Sequence, residues 1–336
     1  LKVAIIRLSA LGDIIVSAVF LPHLKTLYPQ LEIHWFVDEM FGDILDHCPY
    51  IDGLHKLPFK KIFKSKNPMA FYRLWKTLCG YGVYDIVIDL QGLIKSALIG
   101  SMLKKSKFIG FDKNSIRESL AALFYNHCVH IPYEKNILER NAKLLYGAFG
   151  QDIPPQTSLT QRQKAFGYTQ QAAQKIDTIL GNQSKATIVF VLEASLEAKT
   201  YPIEQYAQLT HLLMDLDIKI LLLSHHHPKK AQDLFDKISG IADVVLLPKM
   251  GLDALKALIG RVDVVIGGDT GVTHLAWAMQ KASITLYGNT PMERFKLYGE
   301  KNISLSGNLR ANYDKNDFSI RLIPPERVAE SLRAVL

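Results

Sequence analysis

Cysteine is scarce. The 336-residue chain holds three, Cys48, Cys79 and Cys128, an odd number with no Cys-x-x-Cys and no Cys/His cluster. That argues against a disulfide framework and a thiolate zinc site, and fits a reducing compartment. No uncharged apolar run approaches the roughly 18 residues of a membrane span. The apolar N-terminal stretch is broken by Arg7 and Asp13, so it reads as a buried strand rather than a signal peptide. Low-complexity tracts and repeats of about 20–50 residues are missing. So is Gly-x-Gly-x-x-Gly, which disfavours a nicotinamide-dependent oxidoreductase. Metal motifs are thin. The one Asp-x-Asp, Asp215-Leu216-Asp217, falls at a helix-to-strand turn where acids are ordinary surface residues, and His225-His226-His227 cannot bring three adjacent side chains onto one ion without a special loop. No metal or other cofactor is expected, and no nucleic-acid signature accompanies the basic residues.

What is present is globular, with 48% hydrophobic and 21% charged residues, in a chain too long for one ordinary α/β core. Short apolar runs alternate with amphipathic segments, the pattern of βαβ units around parallel sheets. Strands are expected at Lys2–Leu8, Glu32–Val37, Gly53–Leu57, Tyr84–Leu90, Phe108–Gly110 and Cys128–Ile131, then at Ala186–Leu192, Lys219–Ser224, Val244–Leu247, Val262–Ile266 and Ser283–Tyr287. Helices are expected between them, among them Asp13–Leu27, Met69–Cys79, Leu93–Leu103, Arg117–Tyr125 and, at the end, Pro325–Leu336. The polar, Pro-bearing stretch from Gly150 to Thr157 reads as a linker. The expected architecture is α/β, with two doubly wound Rossmann-like domains, residues 1–155 and 165–322, facing each other across a cleft at the strand carboxyl ends. Charge is uneven. Residues 1–165 carry 21 Lys and Arg against 14 Asp and Glu, and residues 166–336 carry 19 against 18, so the first half should meet an anionic partner.

Four segments carry candidate chemistry. In Ser9-Ala10-Leu11-Gly12-Asp13, directly after the first strand, Asp13 opens a helix; it either caps the helix amides or acts as a base. In Gly267-Gly268-Asp269-Thr270-Gly271-Val272-Thr273-His274, a buried strand enters a Gly-rich turn and a helix whose free amides suit a diphosphate, unless the turn is merely tight. Thr270 adds a hydroxyl there, His274 can face the same anion, and Asp269 suits sugar hydroxyls better than phosphate. Lys199, after the first strand of the second domain, would place a cation on the same rim, although a loop lysine is ordinarily solvated. The basic and aromatic segment from His55 to Lys66 suits an anionic membrane surface, with a solvated loop as the plain alternative. Gln91 and Lys95, after another strand, face the expected cleft, and Arg117 is a weaker candidate.

Taken with Asp89-Leu90-Gln91-Gly92-Leu93-Ile94-Lys95-Ser96, Leu123-Phe124-Tyr125-Asn126 and Leu247-Pro248-Lys249-Met250, these motifs resemble the lipopolysaccharide heptosyltransferases, inverting GT-B glycosyltransferases of the ADP-heptose family. The likeness covers essentially the whole chain and leans toward the type adding the first heptose. It implies transfer of L-glycero-D-manno-heptose from ADP-heptose to Kdo of Kdo–lipid A, with no metal, on the cytoplasmic face of a Gram-negative inner membrane. It implies Asp13 as catalytic base, Lys199 as phosphate ligand, Met250 at adenine and Asp269 on the heptose hydroxyls. Thr270, Gly271 and His274 would lie in the diphosphate loop, and Lys60, Lys61 and Lys64 would contact the acceptor. In such folds the last helix, residues 323–336, packs back on the first domain. Two departures stand out: the loop before Lys199 is one residue short, leaving Ser195 as its one matching hydroxyl, and Lys229 is nearest to where the family has a ribose-binding glutamate. A second-heptose or other sugar transferase, and a non-catalytic nucleotide-sugar-binding protein, remain open.

Overall fold

The computed structural model describes residues 1–181 and 184–336. It divides into two units, Leu1–Gly167 and Tyr168–Leu336. The first contains β1 (Lys2–Ile6), α1 (Leu11–Ala18), α2 (Leu21–Leu27), β2 (Glu32–Asp38), β3 (Gly53–Leu57), α3 (Phe59–Ser65), α4 (Pro68–Cys79), β4 (Val83–Asp89), α5 (Ile94–Met102), β5 (Lys104–Phe111), β6 (His127–Val129) and α6 (Ile137–Gly147). The second contains α7 (Gln170–Leu180), β7 (Ala186–Val191), α8 (Ile203–Leu212), β8 (Ile218–Leu223), α9 (Pro228–Ile238), β9 (Asp243–Leu246), α10 (Leu252–Arg261), β10 (Val264–Gly268), α11 (Gly271–Ala278), β11 (Ala282–Tyr287), α12 (Met292–Phe295), β12 (Asn302–Ser306) and α13 (Pro325–Val335).

Each unit holds one parallel six-stranded sheet. The orders are β3-β2-β1-β4-β5-β6 and β9-β8-β7-β10-β11-β12, so both wind outward from their first strand in opposite directions. The order in which strands are added reverses between β1 and β4 in one unit and between β7 and β10 in the other, all pairs staying parallel. At such switch points the loops diverge and leave a crevice at the carboxyl ends. The central strands β1, β4, β7 and β10 are almost wholly buried toward those ends, as a sheet covered on both faces requires.

Several expectations shift. The long helix at Asp13–Leu27 is two helices, because Pro22 has no N–H to continue the ladder and sits instead in the first turn of α2. The segment around Lys60 is helical: the Asp38 carboxylate accepts the Lys60 N–H at 2.6 Å, capping α3 from the end of β2. Arg117–Tyr125 contains only a 3-10 turn, Ser119–Phe124. Elements not anticipated include α7, whose buried Ala172, Ile176 and Leu180 are diluted among polar residues, the edge strand β12, where only Leu305 is buried, and the single turn of α12. The boundary between units falls at Gly167 rather than near 155–165, since the 3-10 turns at Gln156–Leu159 and Arg162–Ala165 belong with the first unit. The last helix is also corrected. Val328, Ala329, Leu332 and Val335 of α13 lie in the core of the second unit, and Arg333 pairs with Asp215 at 2.7 Å behind α8. The i, i+4, i+7 spacing of that apolar stripe is satisfied within its own unit.

Candidate functional site

At the switch point of the first unit, Asp13 is the third residue of α1. Its carboxylate accepts the Ala10 N–H at 3.3 Å and pairs with Arg7 Nη2 at 2.9 Å, while the side chain stays one-third exposed at 33%. Capping and an accessible carboxylate therefore coexist. Arg7 is buried, and its Nη1 donates to the Leu90 carbonyl at the end of β4, so one guanidinium ties β4 to Asp13. This residue was not singled out from sequence, although a lone charge ending an apolar strand was the signal.

Gln91 lies across the same crevice. Its Oε1 accepts Leu8 N–H at 2.7 Å and Ser9 N–H at 3.3 Å, so it braces the loop that carries Asp13. Behind it, Asp89 is fully buried and accepts the Gln91 and Gly92 amides and the Ser96 and Tyr125 hydroxyls at 2.8–3.2 Å. Burial pushes this carboxyl above the usual range, and those neutral donors pull it only part of the way back. Lys60, Lys61 and Lys64 are exposed on α3, and Lys61 is taken by Glu39. Lys95, exposed at the start of α5, sits over the Phe63 ring of α3 at 5.5 Å, which joins these two expected sites on one surface. Arg117 is exposed just before the 3-10 turn.

At the switch point of the second unit, β10 delivers Asp269 and α11 begins at Gly271. Asp269 is 7% exposed; Lys199 Nζ lies 2.7 Å from its Oδ2 and His274 Nε2 lies 3.0 Å from its Oδ1. Burial alone would raise this carboxyl, but the His274 hydrogen bond and the Lys199 charge outweigh it and hold the group well below the carboxylate range. Two polar atoms at the helix start are buried without a partner among the described residues: Thr270 Oγ1 and His274 Nδ1. The first amides of α11 have no intrahelical acceptor either. Aligned dipoles, free donors and a nearby cation are what an oxyanion requires. Lys199 is seated by glycine. A Cβ on Gly268 would stand 1.9 Å from the Lys199 carbonyl oxygen, and one on Gly288 would stand 2.8 Å from that of Ala198. Only bare backbone at those strand ends admits the Glu197–Lys199 turn.

Expected positions around this core differ in character. Ser195 is exposed in the loop before Lys199, and Met250 is buried just ahead of α10. Lys229 is exposed in the first turn of α9. Glu193, not singled out before, accepts the amides of His225, His226 and His227 and the Ser224 hydroxyl at 2.7–3.2 Å. Burial would raise its carboxyl, yet these donors hold it below the ordinary value. The triple histidine is thus gathered by its backbone. Asp215 and Asp217 pair with Arg333 and Lys185, and among the described residues no group of three or more His, Cys, Asp or Glu is arranged to hold a metal ion. A hollow of about 490 Å³ lined by Lys185, Asp263 and Lys281 lies at the amino ends of these strands, away from this chemistry.

Two Rossmann-like units, each carrying its polar groups at the switch point, form the architecture of a GT-B-type glycosyltransferase. The fold of the whole chain matches that of Escherichia coli heptosyltransferase WaaC with ADP, with a TM-score of 0.79 over 100% of both chains at 24% identity. It also matches a family 9 glycosyl transferase from Veillonella parvula, with a TM-score of 0.83 over 99% of this chain and 96% of that one at 18% identity. Residues 71–320 match the profile of glycosyltransferase family 9 (heptosyltransferase). Lipopolysaccharide heptosyltransferase 1 of Campylobacter coli is 36% identical over 99% of this chain and 98% of its own length. Its counterpart from Escherichia coli K12 is 28% identical over 89% and 92%. The chain belongs to glycosyltransferase family 9, the heptosyltransferases, and is a glycosyltransferase. No helix among the described residues is long and apolar enough to cross a membrane.

Proposed function

We propose that this enzyme transfers L-glycero-D-manno-heptose from ADP-heptose to Kdo of Kdo–lipid A, adding the first heptose of the lipopolysaccharide inner core. The observation that carries the reading is the start of α11, where Lys199 sits on Asp269 beside the first helix amides, and Thr270 Oγ1 and His274 Nδ1 are buried with no partner among the described residues. The names of the relatives, lipopolysaccharide heptosyltransferases, supply the sugar and the polymer.

The reaction is a single inverting displacement. Asp13 removes the proton from the Kdo hydroxyl as that oxygen bonds to the anomeric carbon and the carbon–phosphate oxygen bond breaks. Proton transfer can come late, so a carboxylate held by Arg7 is basic enough. Lys199, the Gly271 end of α11 and the His274 ring stabilise the charge gathering on departing ADP. As Lys199 moves from Asp269 to the diphosphate, an oxygen of Asp269 is released for the heptose hydroxyls. Met250 meets the adenine, with Ser195 and Lys229 on the nucleotide rim. No step calls on a metal. Lys60, Lys61, Lys64, Lys95 and Arg117 receive the anionic acceptor, with Gln91 bracing the base, and the protein works peripherally at the cytoplasmic membrane face.

The test is incubation with ADP-heptose and Kdo–lipid A, reading the product by mass. One added heptose with release of ADP is expected. ADP-heptose that binds but is not consumed would overturn transfer and leave a binding protein.

A further inference from the structure

We propose that α4 and the 3-10 turn Ser119–Phe124 form an insertion surface that seats the first unit in an anionic lipid bilayer. The proposal rests on the lipid-anchored acceptor proposed above for choosing a bilayer as the occupant, and adds the surface that engages it.

The sequence from Gly53 to Tyr84 contains seven basic residues and no acid. Lys56 and Lys61 are neutralised by acids elsewhere in the unit. Lys60, Lys64, Lys66, Arg73 and Lys76 have no ion-pair partner among the described residues and are exposed on α3, on the residue that ends it, and on α4. α4 turns Leu74 and Leu78 into the core, yet its outer side is not simply polar: Met69, Tyr72, Arg73 and Lys76 recur at i, i+3, i+4 and i+7. Beside them Trp75 is 47% exposed, its ring 5.9 Å from that of Tyr72. The 3-10 turn adds Leu120 and Leu123, 61% and 82% exposed.

These features belong to one face of the sheet. Phe59 of α3, Leu74 and Leu78 of α4, Ala97 and Ile99 of α5, and Ala121 of the 3-10 turn share a single core cluster, and Phe63 meets Phe71 at 5.3 Å. The outward side of that layer therefore presents Tyr, Trp and Leu among unpaired cations. Leucines standing in water cost free energy that acyl chains would return, Tyr and Trp favour the headgroup boundary, and each nearby cation gains from anionic lipid. A partner of neutral chemistry would use the apolar atoms and leave those cations unanswered.

The protein carries its own probe. Of its three tryptophans, Trp35 and Trp277 are buried, so only Trp75 can meet lipid directly. Vesicles of phosphatidylcholine with phosphatidylglycerol, brominated in the acyl chains, should quench its fluorescence, and phosphatidylcholine vesicles alone should do so far less. Leu120→Ser with Leu123→Ser should weaken vesicle binding roughly tenfold. The same double variant should keep its rate on a water-soluble, deacylated Kdo acceptor and lose rate on a vesicle-embedded one. Absence of quenching in anionic vesicles, or binding that the double variant leaves unchanged, would overturn the surface. Vesicle binding with quenching in a protein that transfers no heptose would support the surface and overturn the proposed reaction instead.

Discussion

Asp89 and Asp269 stand at the carboxyl end of the fourth strand of their units, and both are buried, yet their carboxyls move in opposite directions. Asp89 receives only neutral donors: two amides and the hydroxyls of Ser96 and Tyr125. Asp269 receives Lys199 and His274. Burial penalises charge in both places, so the sign is decided by whether a cation shares the site. The first unit uses its acid as scaffold, bracing through Gln91 the loop that offers Asp13. The second uses its acid to hold a lysine and a histidine beside the start of α11. The same topology thus builds the outward-facing carboxylate proposed as the base in one unit and the proposed anion receptor in the other.

That contrast can be broken most sharply at the base. Asp13→Ala should lower turnover by roughly 100-fold or more while ADP affinity stays within about twofold, as isothermal titration would show. Retained turnover removes Asp13 from the role. In the receptor, Lys199→Ala should weaken ADP binding by roughly 10- to 100-fold, the worth of a charged hydrogen bond, and slow transfer as well; an unchanged dissociation constant would count against the anion site.

A smaller effect is expected from Gly268→Ala, whose new methyl would push the Lys199 carbonyl away. It should cost about 1–3 kcal/mol of stability and several-fold in ADP affinity, whereas Gly240→Ala, facing open space, should change neither. The two acids themselves can be compared by carboxyl carbon NMR against pH. Asp269 should stay ionised as far into acid as the fold survives, and Asp89 should take up its proton above the ordinary carboxylate range. Identical midpoints would dissolve the comparison.

The gentlest test concerns the His34–His55 pair on β2 and β3, with ring nitrogens 2.9 Å apart. Burial lowers both, His55 to about 4 from 6.5, so the unfolded chain binds more protons between those values. This contribution is complete above about pH 6.5 and drains away as pH falls toward 4. His55→Phe, which can keep the stacking on Phe36, should flatten that part of the melting-temperature curve.

Much of the fold was legible because buried parallel strands write continuous apolar runs, as in Val264–Ile266 and Ile188–Val191. The elements that escaped write little: β12 is an edge with one buried residue, and α7 spends three positions on the core. In the site, the Gly-rich turn after β10 announced itself through three glycines beside one acid. The Asp38 cap that makes α3 a helix lies 22 residues from Lys60 in sequence, and no local pattern carries it. Asp269 was expected to serve sugar hydroxyls; finding both its oxygens on Lys199 and His274 took coordinates, because Lys199 is 70 residues away.

Composition, period and local turn chemistry were enough to determine two doubly wound units, the placement of Asp13 and Thr270 at helix starts, and the basic character of the first half. Each of these follows from interactions within a few residues or from an alternation that burial enforces along one strand. Which charge meets which was decided only by the folded chain. Arg7 reaching Asp13 while tied to β4, Gln91 holding the β1 loop, and Lys199 seated against Gly268 all join segments far apart in sequence. Those partnerships set whether a buried acid has its pKa raised, as at Asp89, or lowered, as at Asp269, because in a low-dielectric interior the nearest opposite charge outweighs everything local.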